Sequence, residues 1–438
     1  MPKKKTALTI EERLQQALVP AEEQPYEVPE NWVWVRLGEV NKYISKSVNP
    51  ISEPDKIFEL YSVPSMVDNY PEIIAGSDIG SSKQSVCKKD VLLCKINPRI
   101  NRVWKVSQFT DNELIASSEW IIIRNNHIDA NYLMYCFQSK YFREFMLSNV
   151  SGVGGSLMRA QPKYVQTYPI PLPPLSEQQR IVERIEELFA KLDEAKERLQ
   201  EVADSFAVRK AAILHKAFTG ELTKQWRREN GVSDESWEEK KLFEITENQD
   251  SKRIPLSKSQ RDNMNRIYDY YGASGIIDKV DDYIFEGKKL LIGEDGANLV
   301  TRSKNIAFIA DGKYWVNNHA HILDVKDTVL LMYLCNYINN MDLIPYVTGS
   351  AQPKLTQAKM NNIKIFLPSL SEQHEIVHLI DDLLARERAA QQATEQALAS
   401  IDLMKKSILA RAFRGELGTN KASEASALEL LRQVLAEN

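Results

Sequence analysis

The residues best suited to chemistry lie in a short segment where cationic and amide side chains mix with apolar ones. Arginine and lysine can bind guanine edges or phosphates, and asparagine can make two hydrogen bonds with adenine. A half-buried strand with one solvated face has a similar composition, so the segment predicts either DNA readout or an ordinary strand. The candidate DNA contacts in it are Lys95, Asn97, Arg99, Asn101, Arg102 and Lys105.

A glycine-rich stretch follows at 151–159. Backbone amides in such a loop can approach a phosphate closely. The spacing matches neither GxGxxG nor the phosphate-binding pattern GxxxxGK[ST], so the loop alone is weak evidence. The candidate DNA contacts in and after it are Gly154, Ser156, Arg159, Gln161 and Lys163.

Polar clusters at 293–298 and 315–321 provide a second candidate site. His319 and His321 suggest a metal, but two histidines without further ligand spacing are more typical of hydrogen-bonded structural residues, so we expect no metal site. The candidate DNA contacts are Asn298, Arg302, Asn317, Asn318, His319, Ser350, Gln352 and Lys354.

Catalytic signatures of a complete DNA-modifying enzyme are absent from the sequence. It contains no GxxxxGK[ST] pattern to hold a nucleotide. The run 97–100 begins like the Asn/Asp-Pro-Pro-aromatic motif of amino-methyltransferases, but it lacks the second proline and the ring that would stack on a flipped base. The acidic residues and lysine at 238–240 resemble part of a nuclease cluster, yet a solvated face is the more typical explanation. We therefore expect no catalytic residue.

Composition indicates a soluble protein of several domains. The chain has 438 residues, 43% of them hydrophobic and 26% charged, which is too long for one ordinary core. The net charge of −4 excludes a uniformly basic nucleic-acid coat but not local basic surfaces. The four scattered cysteines form no CxxC pair, and no signal-type apolar run occurs, so we expect a cytoplasmic protein.

Two long helices are predicted from a block that occurs twice, at 171–222 and 367–418. Leu175-Ser176-Glu177-Gln178 returns as 370–373, and an Ala-Phe-x-Gly-Glu-Leu motif closes each copy. The copies are equal in length and carry apolar residues at coiled-coil spacing, so they look like paired spacers of roughly 60 Å. An ordinary helical hairpin is the alternative for either stripe. The pairing residues are Ile181, Ile185, Leu188, Leu192, Leu199, Val202 and Phe206 in the first copy, and Ile376, Ile380, Leu383, Ile401 and Ile408 in the second, where Glu387 and Thr394 interrupt.

A globular region precedes each helix, at 29–170 and 236–366. Both regions open with a tryptophan motif and close with Gln-Pro-Lys, at 161–163 and 352–354, while their middles differ. Common frames around different middles suit two modules that do the same job on different targets. The remaining segments are an N-terminal helical segment at 1–28, a linker at 223–235 and a tail at 419–438. We hypothesise that the two terminal segments close contacts between the first domain and the second helix.

These motifs together resemble the specificity subunit of Type I restriction-modification enzymes. The resemblance rests on the opening at 32–40, the segments 94–104 and 116–120, and the two helix blocks, and it covers essentially the whole chain. It implies an α+β fold in which two target-recognition domains with small mixed sheets are separated by two long antiparallel coiled-coil helices in a pseudo-twofold arrangement.

The same resemblance implies the function. Each domain would read one half of a bipartite double-stranded DNA target, and the helices would set the spacer and dock two modification subunits. Those subunits would use S-adenosylmethionine to methylate adenine, and restriction subunits would add ATP- and Mg-dependent motor and nuclease activity, so that this chain binds no cofactor. The alternatives are a coiled-coil scaffold that joins two protein-binding domains and a self-sufficient enzyme.

Overall fold

The chain divides into two compact units in its computed structural model, which describes residues 8–152, 158–349 and 351–436. The first unit is Met1–Leu199 with Ala397–Asn438, and the second is Gln200–Gln396. Each unit combines sheets with helices, which confirms the predicted α+β class. No helix within the described ranges is long and apolar enough to cross a membrane.

The helices include two of unusual length, α6 with 44 residues and α13 with 43. Each of these two runs from one unit into the other. The helices are α1 Ile10–Ala17, α2 Leu37–Val40, α3 Ala130–Gln138, α4 Lys140–Ser148, α5 Pro162–Val165, α6 Leu175–Phe218, α7 Lys224–Glu229, α8 Leu242–Ile245, α9 Lys258–Asp262, α10 Asn298–Thr301, α11 Thr328–Asn340, α12 Gln357–Asn361, α13 Leu370–Ala412 and α14 Ala427–Ala436.

The strands of the first unit form a mixed sheet and an antiparallel sheet. The mixed sheet has the order β2-β5-β8-β3-β4, in which β3 and β8 are parallel, and the other has the order β7-β6-β9. The pair β1 and β12 joins the two ends of the domain. The strands are β1 Val33–Arg36, β2 Ser47–Val48, β3 Ile57–Tyr61, β4 Glu72–Ala75, β5 Lys83–Ser85, β6 Val91–Cys94, β7 Val103–Lys105, β8 Glu113–Ala116, β9 Trp120–Ile123, β10 Val150–Ser151, β11 Arg159–Ala160 and β12 Pro169–Leu172.

The second unit repeats this plan with different residues. Its mixed sheet has the order β16-β15-β20-β17, with β15 and β20 parallel, and its antiparallel sheet has the order β14-β21-β18-β19. The pair β13 and β22 joins the domain ends. The strands are β13 Glu238–Lys241, β14 Glu247–Asn248, β15 Tyr268–Gly272, β16 Gly275–Val280, β17 Phe285–Glu286, β18 Lys289–Gly293, β19 Ala307–Ala310, β20 Lys313–Val316, β21 Ala320–Asp324 and β22 Lys364–Leu367.

The two long helices pack antiparallel within each unit. In the first unit, Lys405 Nζ lies 2.5 Å from Asp193 Oδ1, and Lys196 Nζ lies 3.9 Å from Asp402 Oδ1, so numbers fall along α13 as they rise along α6. In the second unit, Arg209 Nη2 lies 2.6 Å from Glu387 Oε2. The predicted helix pairing is therefore confirmed.

Burial along the helices follows the predicted pairing residues with one exception. The buried members are Ile181, Ile185, Phe206, Ile376, Ile380 and Ile401, and the half-buried ones are Leu188, Leu192, Leu199, Leu383 and Ile408. The prediction was wrong for Val202, whose surface is 39% exposed. An α-helix drifts relative to a strict heptad pattern. Half-buried Ala203 therefore lines the groove beside Phe206 and Leu384 in its place.

The two polar residues on α13 do not break the packing. Thr394 is buried, and its hydroxyl donates to the Ala390 carbonyl at 2.8 Å, so its polar group is satisfied on its own helix. Glu387 accepts two hydrogen bonds from Arg209. The apolar pattern is interrupted in sequence, but both polar groups have partners in the described residues.

The terminal segments pack into the core of the first unit. Helices α1 and α14 contact each other, and Leu14 and Leu431 share a core with Phe413, the residue after α13. Within this unit the hypothesis that the termini close contacts between the first domain and the second helix is confirmed. Strand β12 runs to Leu172, two residues beyond the predicted domain end at 170.

Candidate nucleic-acid interface

In both domains, backbone hydrogen bonds join the residues around the Gln-Pro-Lys motif, here called the closing segment, to the residues just after an inner strand of the antiparallel sheet, β6 or β18. In the first domain, Asn97 N donates to Met158 O and Ala160 N donates to Lys95 O, each at 2.8 Å. The second domain repeats this pair, since Gly296 N donates to Pro353 O at 3.1 Å and Leu355 N donates to Glu294 O at 2.7 Å. The candidate residues of each central strand and each closing motif are thereby brought together.

The structure places the candidate residues of the first domain around this strand end. Asn97 has a left-handed φ of 44°, and its Oδ1 is buried with no hydrogen-bond partner among the described residues. Non-glycine residues in that conformation are uncommon and cluster at functional sites. Asn97 and Arg102 line a cavity of about 510 Å³ together with Leu60, Val63, Pro64 and Ile96.

Other candidate side chains of the first domain have protein partners. Asn101 Nδ2 donates to Gln138 O at 3.0 Å, and Lys105 Nζ donates to Asn131 Oδ1 at 2.6 Å. Arg159 Nε lies 3.3 Å from Glu119 Oε2. Lys95 and Gln161 are half-buried, whereas Arg99 and Lys163 are exposed. Gly154, Ser156 and Ser350 lie outside the described residues. A contact between any of these residues and DNA stays a prediction.

Three candidates of the second domain make hydrogen bonds with the protein's own backbone. Asn317 is only 5% exposed, and its Oδ1 accepts from His319 N at 2.8 Å, so it cannot make a two-bond contact with adenine while this turn holds. Arg302 Nη2 donates to Asn339 O at 2.8 Å and Met341 O at 2.9 Å, and burial lowers the pKa of its guanidinium. Asn298 Oδ1 accepts from Lys304 N at 2.9 Å. The geometry argues against these three as base contacts.

The remaining candidates of the second domain lie at the surface. Asn318 and Gln352 are exposed, and the half-exposed His319 has its Nδ1 2.8 Å from Asp295 Oδ2. Lys354 Nζ lies 3.0 Å from Glu294 Oε1, with half of its side chain exposed. These four residues can reach a ligand without unfolding the domain.

A network of buried polar side chains lies next to Lys354. His321 Nδ1 lies 2.5 Å from Asp250 Oδ2, and its Nε2 lies 2.7 Å from Leu355 O, so the histidine holds the closing segment in place. Burial opposes ionisation of Glu294, but hydrogen bonds from Arg253 and Lys354 prevail and lower its pKa. Both ring nitrogens of His321 are thus used by protein partners, as expected of a structural histidine. The described ranges contain no group of three or more His, Cys, Asp or Glu side chains that could hold a metal ion.

Sequence reasoning missed the hairpin formed by β15 and β16. A Cβ added to Gly293, at the end of β18, would come within 2.6 Å of the Ala273 carbonyl oxygen in the hairpin turn. The hairpin turn therefore packs against the end of β18, next to Glu294, whose carbonyl oxygen accepts from Leu355 N of the closing segment. The signal was present, since Gly272-Ala273-Ser274-Gly275 between aromatic and β-branched residues is typical of a hairpin turn.

The two repeated frames match one protein family. The family described as Type I restriction modification DNA specificity domain matches residues 29–204 and 234–398. The chain belongs to this family. It is thus a specificity subunit of a Type I restriction-modification system, and the alternative of a scaffold unrelated to DNA is set aside.

Individual relatives agree with the family assignment. A putative type I restriction enzyme specificity subunit of Haemophilus influenzae is 40% identical over 154 residues, which cover 35% of this chain and 38% of that protein. The StySPI specificity subunit of Salmonella potsdam is 25% identical over 340 residues, which cover 71% of this chain and 72% of that protein. The crystal structure of the HsdS subunit from Thermoanaerobacter tengcongensis matches with a TM-score of 0.67 and 22% identity, covering 90% of this chain and 99% of that one, and it supports the fold.

Proposed function

We propose that each domain of this specificity subunit reads one half of a bipartite DNA target. The observation that carries the proposal is the repeated frame, in which the closing segment is bonded to the central strand end by the same pair of backbone hydrogen bonds in both domains. The side chains on the two frames differ: Asn97 and Arg159 in one domain correspond to Gly296 and Lys354 in the other. Equal frames with different side chains suit two readers of different half-sites.

The long helices then set the spacer between the half-sites and dock two modification subunits. Antiparallel packing of α6 and α13 in each unit supports this role, because a pair of matched helices is a stiff element of fixed length. A pseudo-twofold relation between the domains would match the dyad of duplex DNA.

Catalysis in this scheme belongs to the partner subunits. The modification subunits bind S-adenosylmethionine and methylate adenine, and the restriction subunits use ATP and Mg. This chain acts in the cytoplasm, selects the site, binds no cofactor and has no catalytic residue. The absence of nucleotide-binding and methyltransferase motifs from its sequence supports this division of labour.

Mapping methylated adenines in host DNA by single-molecule sequencing tests whether the complex recognises a bipartite target.

A paired insertion tests whether the helices set the spacer length. Seven residues, about two helical turns, are inserted after Lys196 in α6 and after Asp402 in α13, which face each other. The added length of about 10 Å predicts a spacer longer by about three base pairs. The same seven residues appended after Asn438 should change nothing. An unchanged spacer in the paired insertion would contradict the proposal.

A further inference from the structure

Two adjacent isoleucines are exposed on the edge hairpin, which we define as strands β15 and β16 with their turn. Gly272 pairs with Gly275 at the turn, and β16 is the edge strand of its sheet. Ile276 and Ile277 follow the turn, and each is 54% exposed. The ladder is irregular here, with Tyr271 opposite Ile276 and Tyr270 opposite Asp278, so Ile277 is the unpaired residue of a β-bulge and the two exposed isoleucines lie side by side next to the turn.

The turn of the edge hairpin lies beside the candidate DNA contacts. A Cβ added to Gly272 would lie 3.0 Å from Ile277 Cδ1 and 3.4 Å from Asn317 Nδ2. Ile277 is therefore next to the turn that carries the exposed Asn318 and His319. A Cβ added to Gly293 would likewise meet the Ala273 carbonyl oxygen, so the hairpin turn lies beside both Asn317 and the end of β18, whose next residue, Glu294, is bonded to the closing segment.

The first domain carries aliphatic residues in the connection between its equivalent strands, β3 and β4. Tyr61 in β3 and Tyr271 in β15 occupy equivalent positions, since their carbonyl oxygens accept from Ser117 N at 3.1 Å and Asn317 N at 3.0 Å. The connection from β3 to β4 is longer than the turn between β15 and β16. In this connection Val67 is 89% exposed, and Val63 lines the same cavity as Asn97. Both domains thus carry exposed aliphatic residues at or near the connection between these two equivalent strands.

The charges around the edge hairpin would allow a polyanion such as DNA to bind there. The acidic side chains on its strands are paired with cations: Asp278 with Arg261 at 2.9 Å, and Asp269 with Lys279 at 3.0 Å. Such pairing reduces the repulsion that free carboxylates would exert on phosphates. The exposed isoleucines are therefore flanked by neutralised acids, and Lys354, itself paired with Glu294, lies in the closing segment of the same domain.

We infer that Ile276 and Ile277 contact thymine methyl groups in the major groove of the half-site read by the second domain. This inference rests on the proposed function. A two-stranded ribbon fits the major groove, where thymine presents its 5-methyl group and apolar side chains recognise it. Insertion of an apolar wedge between base steps is typical of minor-groove binding instead. The methylated adenine of the half-site pairs with a thymine, so a methyl group is available there.

Uracil substitution tests the contact without altering the protein. In the duplex target identified by methylation mapping, each thymine of the second half-site is replaced by uracil, and the Kd of the full chain in its assembled complex is measured. At least one replacement should raise the Kd by about fourfold, the effect of one buried methyl group. The variant Ile276→Ala/Ile277→Ala should bind the thymine duplex more weakly and lose the thymine–uracil difference.

The matched control is Ile267→Ala, at the opposite end of the same hairpin and similarly exposed. It should keep the wild-type Kd and the uracil effect. The inference is overturned if no uracil position changes the Kd, if the double variant keeps the wild-type discrimination, or if that variant loses other subunits while its DNA affinity is unchanged. Absence of any bipartite target would remove the proposed function as well, whereas a target bound without methyl dependence would remove this inference alone.

Discussion

The indole Nε1 of Trp32 donates a hydrogen bond of 2.7 Å to the carboxylate of Glu177, and both side chains are buried. Trp32 belongs to the opening motif of the first domain and Glu177 to the Leu-Ser-Glu-Gln motif that begins α6. Asn420 Nδ2 donates to the same carboxylate at 2.9 Å. The repeated tryptophan and glutamate are thus explained in this unit by one bond that ties the domain opening to the helix start.

Replacing Trp32 with phenylalanine should destabilise the first unit by about 1–3 kcal/mol, because the buried carboxylate of Glu177 loses a donor. Urea unfolding of the full chain measures the change in the free energy of unfolding. Trp226→Phe is the control, since Trp226 is half-buried in a short helix, and it should cost less than about 0.5 kcal/mol. Equal midpoints for the two variants would contradict the role given to the Trp32 bond.

The second unit binds its equivalent carboxylate differently. Glu372 Oε1 accepts from Arg227 Nη1 at 2.6 Å and Thr223 Oγ1 at 2.7 Å, and all three residues are buried. Arg227→Met should cost about 3–5 kcal/mol, because it leaves a buried charge without its counterion. Arg227→Met/Glu372→Leu should recover part of this loss in chemical unfolding. The exposed Arg228→Met serves as the control, and a loss as large as that of Arg227→Met would argue for a general effect of charge.

The repeat in the sequence predicted the long helices well, because both helices keep an apolar pattern over many turns. Helix α6, Leu175–Phe218, falls within the predicted 171–222. The candidate site was harder to predict. Asn317 and Arg302 have the residue types of base readers, but the sequence does not reveal that their polar atoms are used by nearby backbone groups. The exposed isoleucines of the edge hairpin carried no charge or amide that would mark them as contacts.

The Asp250 and Glu294 network predicts an acid-sensitive second domain. Burial works against ionisation of Asp250, but its hydrogen bond with His321 prevails and lowers its pKa, and the pKa of Glu294 is lowered as well. A lowered folded-state pKa contributes stability above the unfolded values of about 3.9 and 4.3, and this stability is lost as pH falls through the folded values.

Urea unfolding between pH 6 and pH 3 measures this loss. The wild type should lose stability steeply below about pH 4, whereas Asp250→Asn/Glu294→Gln should be less stable at pH 6 and show a shallower decline. Asp281→Asn, an exposed residue of the same domain, should follow the wild-type curve. If the double variant declined as steeply as the wild type, other groups would control the acid response.

Lys354 provides a direct test of the DNA-facing surface. Its side chain is half-exposed beside Glu294, in the closing segment that His321 holds in place. If Lys354 contacts a phosphate, Lys354→Gln should weaken binding to all DNA sequences and reduce the magnitude of the slope of log K against log salt by about 0.9. Lys364→Gln is the matched control, because Lys364 is similarly exposed and paired with Glu239, but lies on β22, where the two domain ends are joined. Titrations at several salt concentrations should give Lys364→Gln the wild-type slope, and an equal change in both variants would mean that the effect reflects net charge and not a contact at Lys354.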